Sequence, residues 1–375
     1  MAVGTTAESV KRRRAKNWKP YDYENTYSEE LDSLEEEQLI RMIHEQRKAI
    51  YATKTIRYGG QMDVEAYPEF TRLPGTLCKK CSPEAKRDLN DRNSRKECER
   101  RIGENFGSSD FWITLSYMPN EEPEDIDAAL RDVQNYIKRL NYQRKKMGIP
   151  AARYVYVTDW TKNRRRVRTH HHVVIDGEQS ATDLLAAWKK GRRNKATPLV
   201  LDEDGLSGLS RYMTKPHAAD TEDVKHRRKW CASKNLRRPA ERKNHQTFRR
   251  RKVEHLAQHP ADMQHILEKQ YPGFWFERGT VRYNGHCGLF YLSATLREKA
   301  APGDVVTISG RPEALEEINE KTRQQLRDHR EFLLLASDGT TATIGAANGR
   351  GKTWQVPLRA CIVDRRREGA KKTWS

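Results

Sequence analysis

The sequence predicts an α+β protein built on an antiparallel sheet with flanking helices, a ferredoxin-like or RRM-like arrangement, followed by a small C-terminal β-barrel. Three observations carry that expectation. Phe111 to Tyr117 (FWITLSY) is a run of aromatic and β-branched residues, the composition of a strand. Behind it Ile126, Leu130, Val133, Ile137 and Leu140 recur at alternating steps of four and three, one face of a helix. Two more strand-like runs, Arg153 to Trp160 (RYVYVTDW) and Val167 to Asp176 (VRTHHHVVID), are separated by the short basic turn TKNRRR and should pair as a hairpin.

Each element has a local cause. Pro123 stands where a first helical turn tolerates its ring, acidic residues follow it, and a basic last turn with Gly148 closes the same helix. After the hairpin, Thr182 to Lys190 reads as a helix, then comes a Gly-rich connection, then a helix around Leu206 to Lys215 that Pro216 ends. Upstream, residues 1–27 form a basic mobile arm in which Lys11, Arg12, Arg13, Arg14, Lys16 and Lys19 show no periodicity; it is either solvated or a DNA-contacting tail. Leu31, Leu34, Leu39, Ile43 and Ile50 suit a helix from Ser28 to Tyr51, residues 52–83 are Gly/Pro-punctuated, and Pro83 to Phe106 is a charged helical stretch.

These readings divide the chain into four parts. The basic arm precedes a helical N-terminal extension at 28–84, and a central domain spans 85–295 with a basic insertion at 225–252. Tyr271 to Thr295 should close the central domain as a β-hairpin. Residues 296–375 form a β-rich accessory domain, where PGDVVTISG, FLLLASDGTTATI and WQVPLRACI surround a charged helix from Glu313 to Arg330 and Asp338-Gly339 supplies a hairpin turn. At 375 residues the chain has room for two or three domains.

Charge narrows the function. Seventy-one Lys and Arg against 52 Asp and Glu give a net charge of +19, which favours a polyanionic partner through release of its condensed counterions. A membrane surface is the weaker alternative, because no apolar run reaches spanning length and neither end carries a lipidation signature. With no apolar segment in MAVGTTAESVKRRR to act as a signal peptide, a cytoplasmic, nucleoid-associated setting with reduced cysteines is expected. The stretch 225–252 holds 13 Lys or Arg against the single acid Glu241, and with Trp230 and Phe248 inside it reads as a nucleic-acid groove rather than a merely solvated face. Its contacts are expected from Arg227, Arg228, Lys229, Lys234, Arg237 and Arg238, joined by Arg164, Arg165, Arg166 and Arg168 at the hairpin.

The chemistry concentrates in three places. Side chains alternate along a strand, so His170 and His172 share one face while His171 takes the other. Two imidazoles ~7 Å apart along the strand can converge on one divalent ion, though an isolated His-x-His also describes two solvent-facing histidines. Asp159 falls opposite or diagonal to His170; its carboxylate either completes a mixed N/O site suited to Mg²⁺ or Mn²⁺ or caps the turn. Tyr212 and Lys215 sit at i and i+3 of a helix, so a phenol and an ammonium point the same way, an arrangement that is either a surface pair or an activated nucleophile beside its cation.

Taken in order, FWITLSY, THHHVVID and LSRYMTKP resemble motifs 1, 2 and 3 of the HUH-type rolling-circle replication initiators of bacterial mobile elements, and VTDW resembles the VTEW segment that supplies a third metal ligand there. Asn105-Phe106, WCASKNLRRP and YPGFWFE extend the likeness over roughly residues 85–295. The resemblance implies that His170, His172 and Asp159 bind metal, that Tyr212 is the single nucleophile, and that Lys215 assists at the phosphate. It implies a metal-dependent single-stranded DNA endonuclease and strand transferase acting on a single-stranded or hairpin origin, with a host polymerase and helicase as partners. Two departures stand out: Asp159 replaces the usual Glu, and His171 replaces the hydrophobic residue expected between the ligands.

Two further patterns carry less. Ala346 to Thr353 (AANGRGKT) satisfies a relaxed phosphate-loop pattern, but the strand-like, proline-broken Trp354-Gln355-Val356-Pro357 follows where a helix must open, so no ATP is expected to bind. Cys78-Lys79-Lys80-Cys81 has the spacing of half a zinc site without a second pair nearby; chance spacing is the simpler reading, and His286 with Cys287 is its closest complement.

Overall fold

Two strands open the described chain in a computed structural model that covers residues 50–69, 83–160, 168–214, 230–284, 289–316, 318–327, 329, 331–346 and 351–365. They are β1 (Ile50–Tyr58) and β2 (Gln61–Glu69), an antiparallel hairpin turning at Gly59, whose φ of 51° and close approach to the Gly103 carbonyl oxygen leave no room for a side chain. The helix expected from Ser28 lies outside the described residues up to 49, and the rest of the expected helical extension, read as Gly/Pro-punctuated from 52, is strand at 50–69. Its polar residues disguised a buried hairpin: Arg57 is neutralised by Glu298 at 2.7 Å, and Glu65 by Arg100 at 2.9 Å and Lys96 at 3.3 Å.

Helix α1 (Pro83–Asn105) follows, and the expected central strands then appear in sequence: β3 (Phe111–Ser116), β4 (Tyr154–Asp159) and β5 (His170–Ile175). Helix α2 (Ile126–Met147) crosses between β3 and β4; the Asp125 side chain accepts from Ala128 N–H at one end, and Gly148 at φ 70° closes the other. Beyond β5 lie α3 (Ala181–Ala186), β6 (Lys195–Pro198), α4 (Ser207–Met213) and the two-residue β7 (Cys231–Ala232). The sheet order is β6-β3-β5-β4-β7, antiparallel throughout.

Alternation sorts this sheet into two faces. Ile113, Leu115, Tyr156, Val173 and Ile175 pack beneath Val133, Tyr136, Ile137 and Leu140 of α2, while Val155, Val157 and Val174 pack with Cys98 and Ile102 of α1 and Met213 of α4. The amphipathic spacing of α2 is thus what seals one face and leaves the other for α1 and α4.

A second antiparallel sheet, ordered β8-β1-β2-β10-β9, joins the N-terminal hairpin to β8 (Ala240–Asn244), β9 (Phe274–Asn284) and β10 (Leu289–Glu298). Its core takes Phe248 and side chains of α5 (Arg250–Gln258) and α6 (Met263–Gln270). Phe248 is fully buried there, so the expectation that it stacks on bases is corrected, while half-buried Trp230 packs against the central core with its indole N–H donating to Ser94. Part of the basic stretch is likewise an edge strand, with Lys54–Glu241 and Lys243–Glu69 ion pairs tying β8 to the hairpin.

The third sheet is ordered β14-β13-β12-β11-β15 from β11 (Val305–Ile308), β12 (Phe332–Ser337), β13 (Thr341–Ala346), β14 (Thr353–Pro357) and β15 (Cys361–Arg365). The barrel expected here is an open sheet, because β14 and β15 are its two edges and do not pair among the described residues. The charged helix shrinks to α7 (Glu320–Arg327) with a 3-10 turn at Pro312–Leu315. The Asp338-Gly339 turn stands, with Gly339 at φ 97° and the Asp338 carboxylate accepting from Thr340 and Thr341 N–H. The sheet is bolted to the rest by buried polar contacts. Arg297 donates to the Cys361 and Arg359 carbonyls, each at 3.0 Å, and Asp364 accepts from Ser108 Oγ at 2.6 Å. The strand β14 begins at Thr353, where the phosphate-loop pattern needs a helix. No helix among the described residues is long and apolar enough to cross a membrane.

Candidate active site

The register of the central sheet assembles the site. Asp159 lies directly opposite His170, and Val157 opposite His172, so the carboxylate emerges on the same face as both histidines. Of the two pairings compatible with the sequence, the ladder adopts the opposed one. Asp159 Oδ2 is 3.1 Å from His170 Nε2 and 3.8 Å from His172 Nε2, and the two Nε2 atoms are 3.0 Å apart.

Hydrogen bonds on the far side of each ring set this convergence. His170 Nδ1 is 2.8 Å from the Arg168 carbonyl, which only accepts, so Nδ1 carries a proton and Nε2 is the ring atom that faces Asp159. His172 Nδ1 meets Thr114 Oγ1 at 3.2 Å, and its ring stacks on Trp112 with centroids 4.6 Å apart. Burial opposes charging His170, but hydrogen bonding to the Asp159 carboxylate and the Arg168 carbonyl outweighs it and raises its pKa above the ordinary value.

One carboxylate oxygen and two imidazole nitrogens converge closely enough to hold a cation. Among the described residues this is the one His/Cys/Asp/Glu group spaced to hold a metal, with its ligand atoms all within 4.8 Å. The three ligand atoms, separated by 3.0, 3.1 and 3.8 Å, make a mixed N/O set of the kind that could hold a hard divalent ion.

His171 does something different. It is fully buried on the α2 face, with Nδ1 2.8 Å from Thr158 Oγ1 and Nε2 2.8 Å from Tyr117 Oη, and packs edge-on against Trp188. Burial first, then the neighbouring His170 and His172, lower its pKa to about 3. An imidazole in place of a hydrophobic residue is accommodated because both its nitrogens have partners.

Tyr212, half exposed on α4, reaches the same face, its ring centroid 5.3 Å from His172 and 6.0 Å from Trp112. Helix α4 is held by Ser207, which donates to Glu99 of α1, and by the burial of Ser210 and Met213. Lys215 lies outside the described residues, as do Arg164, Arg165, Arg166, Arg227, Arg228, Lys229, Cys78, Cys81, His286 and Cys287. Arg168, Lys234, Arg237 and Arg238 are exposed, and the Arg237 backbone is clamped by both ends of the Asn105 amide. Sequence reasoning missed Trp112 and Thr114, which the alternation within FWITLSY places on one face without saying that this is the histidine face.

No curated protein and no solved structure matches the chain. The model of the family Replication-associated protein ORF2 matches residues 110–217, the segment that carries Asp159, His170, His172 and Tyr212, and this similarity is consistent with a replication-initiator role.

Proposed function

We propose that the chain is a rolling-circle replication initiator of the HUH type, nicking and rejoining single-stranded DNA through Tyr212. The observation that carries the reading is the meeting of Asp159, His170 and His172 with the Tyr212 ring on one face of an antiparallel sheet. The chain order strand, helix, strand, strand, helix, strand, spatially β6-β3-β5-β4, is that of a ferredoxin-like or RRM-like unit and supports the same reading. His170, His172 and Asp159 would hold Mg²⁺ or Mn²⁺, which would supply Lewis acidity toward a phosphate.

The chain's own residues do the rest. Tyr212 Oη attacks phosphorus as the bond to the 3′ oxygen breaks; the phenol proton leaves and the departing oxygen takes one up, giving a 5′-phosphotyrosine and a free 3′-hydroxyl. That hydroxyl primes a host polymerase, and the reverse reaction rejoins strands without ATP because the phosphotyrosine retains the bond energy. Lys215 stabilises charge developing on the phosphate. Basic side chains including Arg168, Lys234, Arg237 and Arg238 hold a single-stranded or hairpin origin, and a host helicase opens the duplex. A relaxase or transposase would use the same chemistry.

The test is covalent trapping on a labelled oligonucleotide with Mn²⁺. Wild type should yield a protein-DNA adduct, and Tyr212→Phe should lose it while binding the oligonucleotide nearly as well. An adduct with Tyr212→Phe assigns the nucleophile elsewhere; binding without any adduct in wild type leaves a non-catalytic RRM-like binder.

A further inference from the structure

The connection from α3 to β6, Lys189 to Lys195 (KKGRRNK), carries five basic residues in seven and ends beside the site. Its path is pinned to the end of β3. Asn194 Oδ1 accepts from Ser116 N–H at 3.0 Å, Ser116 Oγ donates to the Arg193 carbonyl at 2.7 Å, and the Lys190 carbonyl accepts from Met118 N–H at 2.9 Å. A Cβ on Gly191 would collide with the Ser116 carbonyl oxygen, so only glycine lets the loop lie this close.

The ladder then decides where the charge falls. Thr114 is opposite Lys195 on one side and His172 on the other, so Lys195, Thr114 and His172 form one row on one face, with backbones about 10 Å apart across two strand spacings. The next row is Ser116, His170 and Asp159, with Asn194 bonded to its end. Lys189, Arg192, Arg193 and Lys195 are exposed, and only Lys190 of the five basic residues has an ion pair among the described residues, with Glu121 at 2.8 Å. The other four charges, carried on a pinned backbone and without an ion pair among the described residues, suit a polyanion that tracks along the sheet.

We propose that the Lys189–Lys195 loop is a phosphate-binding edge that holds the backbone of single-stranded DNA beside the metal triad, on the β6 side of the sheet. This rests on the single-stranded DNA reading given above, and adds a binding site that the charge runs at 164–168 and 225–252 do not include.

The test uses the full chain and a labelled oligothymidine, titrated in EDTA over a salt series. Arg192→Gln, Arg193→Gln and Lys195→Gln together should flatten the plot of log affinity against log salt by roughly 0.7 per lost contact, about 2 for three. Lys138→Gln, Lys145→Gln and Lys146→Gln, exposed on α2 over the opposite face, remove the same charge and should keep the wild-type slope. An unchanged slope in the loop variant, or an equal flattening in the α2 variant, overturns the edge. So does a wild-type chain that does not bind. If the loop variant loses slope while wild type never forms an adduct with Mn²⁺, the edge stands and the nuclease reading falls; if wild type forms the adduct and the loop variant keeps its slope, the edge alone falls.

Discussion

Replacing His171 with leucine keeps an apolar body of similar size on the α2 face and removes both ring nitrogens. Tyr117 Oη and Thr158 Oγ1 each lie 2.8 Å from a ring nitrogen of His171, so in the neutral ring one hydroxyl donates to the imidazole and the other accepts from it. Leucine leaves Thr158 and Tyr117 each short of one partner, a cost of about 1–3 kcal/mol in all, since Thr158 is only half buried and can turn to water. Thermal melting of the metal-free protein should therefore fall by roughly 3–10 °C. A second signature is in the pH dependence. His171 is held at about 3 in the fold against roughly 6.5 in the unfolded chain, so between those values only the unfolded chain takes the proton. Its share of stability is intact above pH 6.5 and is lost as pH falls toward 3, at up to about 1.4 kcal/mol per unit. The leucine variant lacks that loss, so the gap between the two proteins should narrow on acidification. A variant as stable as wild type at pH 7.5, or a gap constant from pH 7 to pH 5, would refute the account of His171 as a neutral buried clamp.

Other perturbations separate the roles around it. His170→Ala and His172→Ala should each abolish high-affinity Mn²⁺ binding in calorimetry, whereas Thr114→Val, which takes only the partner from His172 Nδ1, should weaken it on the order of 10-fold; equal loss in all three would mean that Thr114 is itself a ligand. Truncation must respect β10, which runs to Glu298, so a chain ending at Lys299 is the fair test of the C-terminal sheet. Metal-dependent nicking by that chain should stay within a small factor of the full protein, at a lower melting temperature because Arg297 loses two carbonyl partners and Ser108 loses Asp364. A folded truncation that cannot nick would show that the C-terminal sheet contributes to the site.

Alternation along β5 is a property of any strand, so the sequence alone determined that His170 and His172 share a face and His171 does not. Helical periodicity determined α2 and hence which face of the sheet is sealed. Composition determined the basic character, and the order of short motifs determined where chemistry would concentrate. Register is different, because it depends on two segments pairing across a turn; only the ladder decided that Asp159 stands opposite His170 and that Lys195 shares a row with His172. Docking of α4 brought Tyr212 to the His172 ring, a contact over forty residues that no local pattern specifies. The N-terminal hairpin was hidden because its charges are paired with Glu298 and Arg100 from distant segments, so residues that read as solvent-facing are interior. Charge pattern reports a surface only when its partners lie nearby in the chain. Where partners are remote, as for β1 and β2, tertiary structure decides which face is inside.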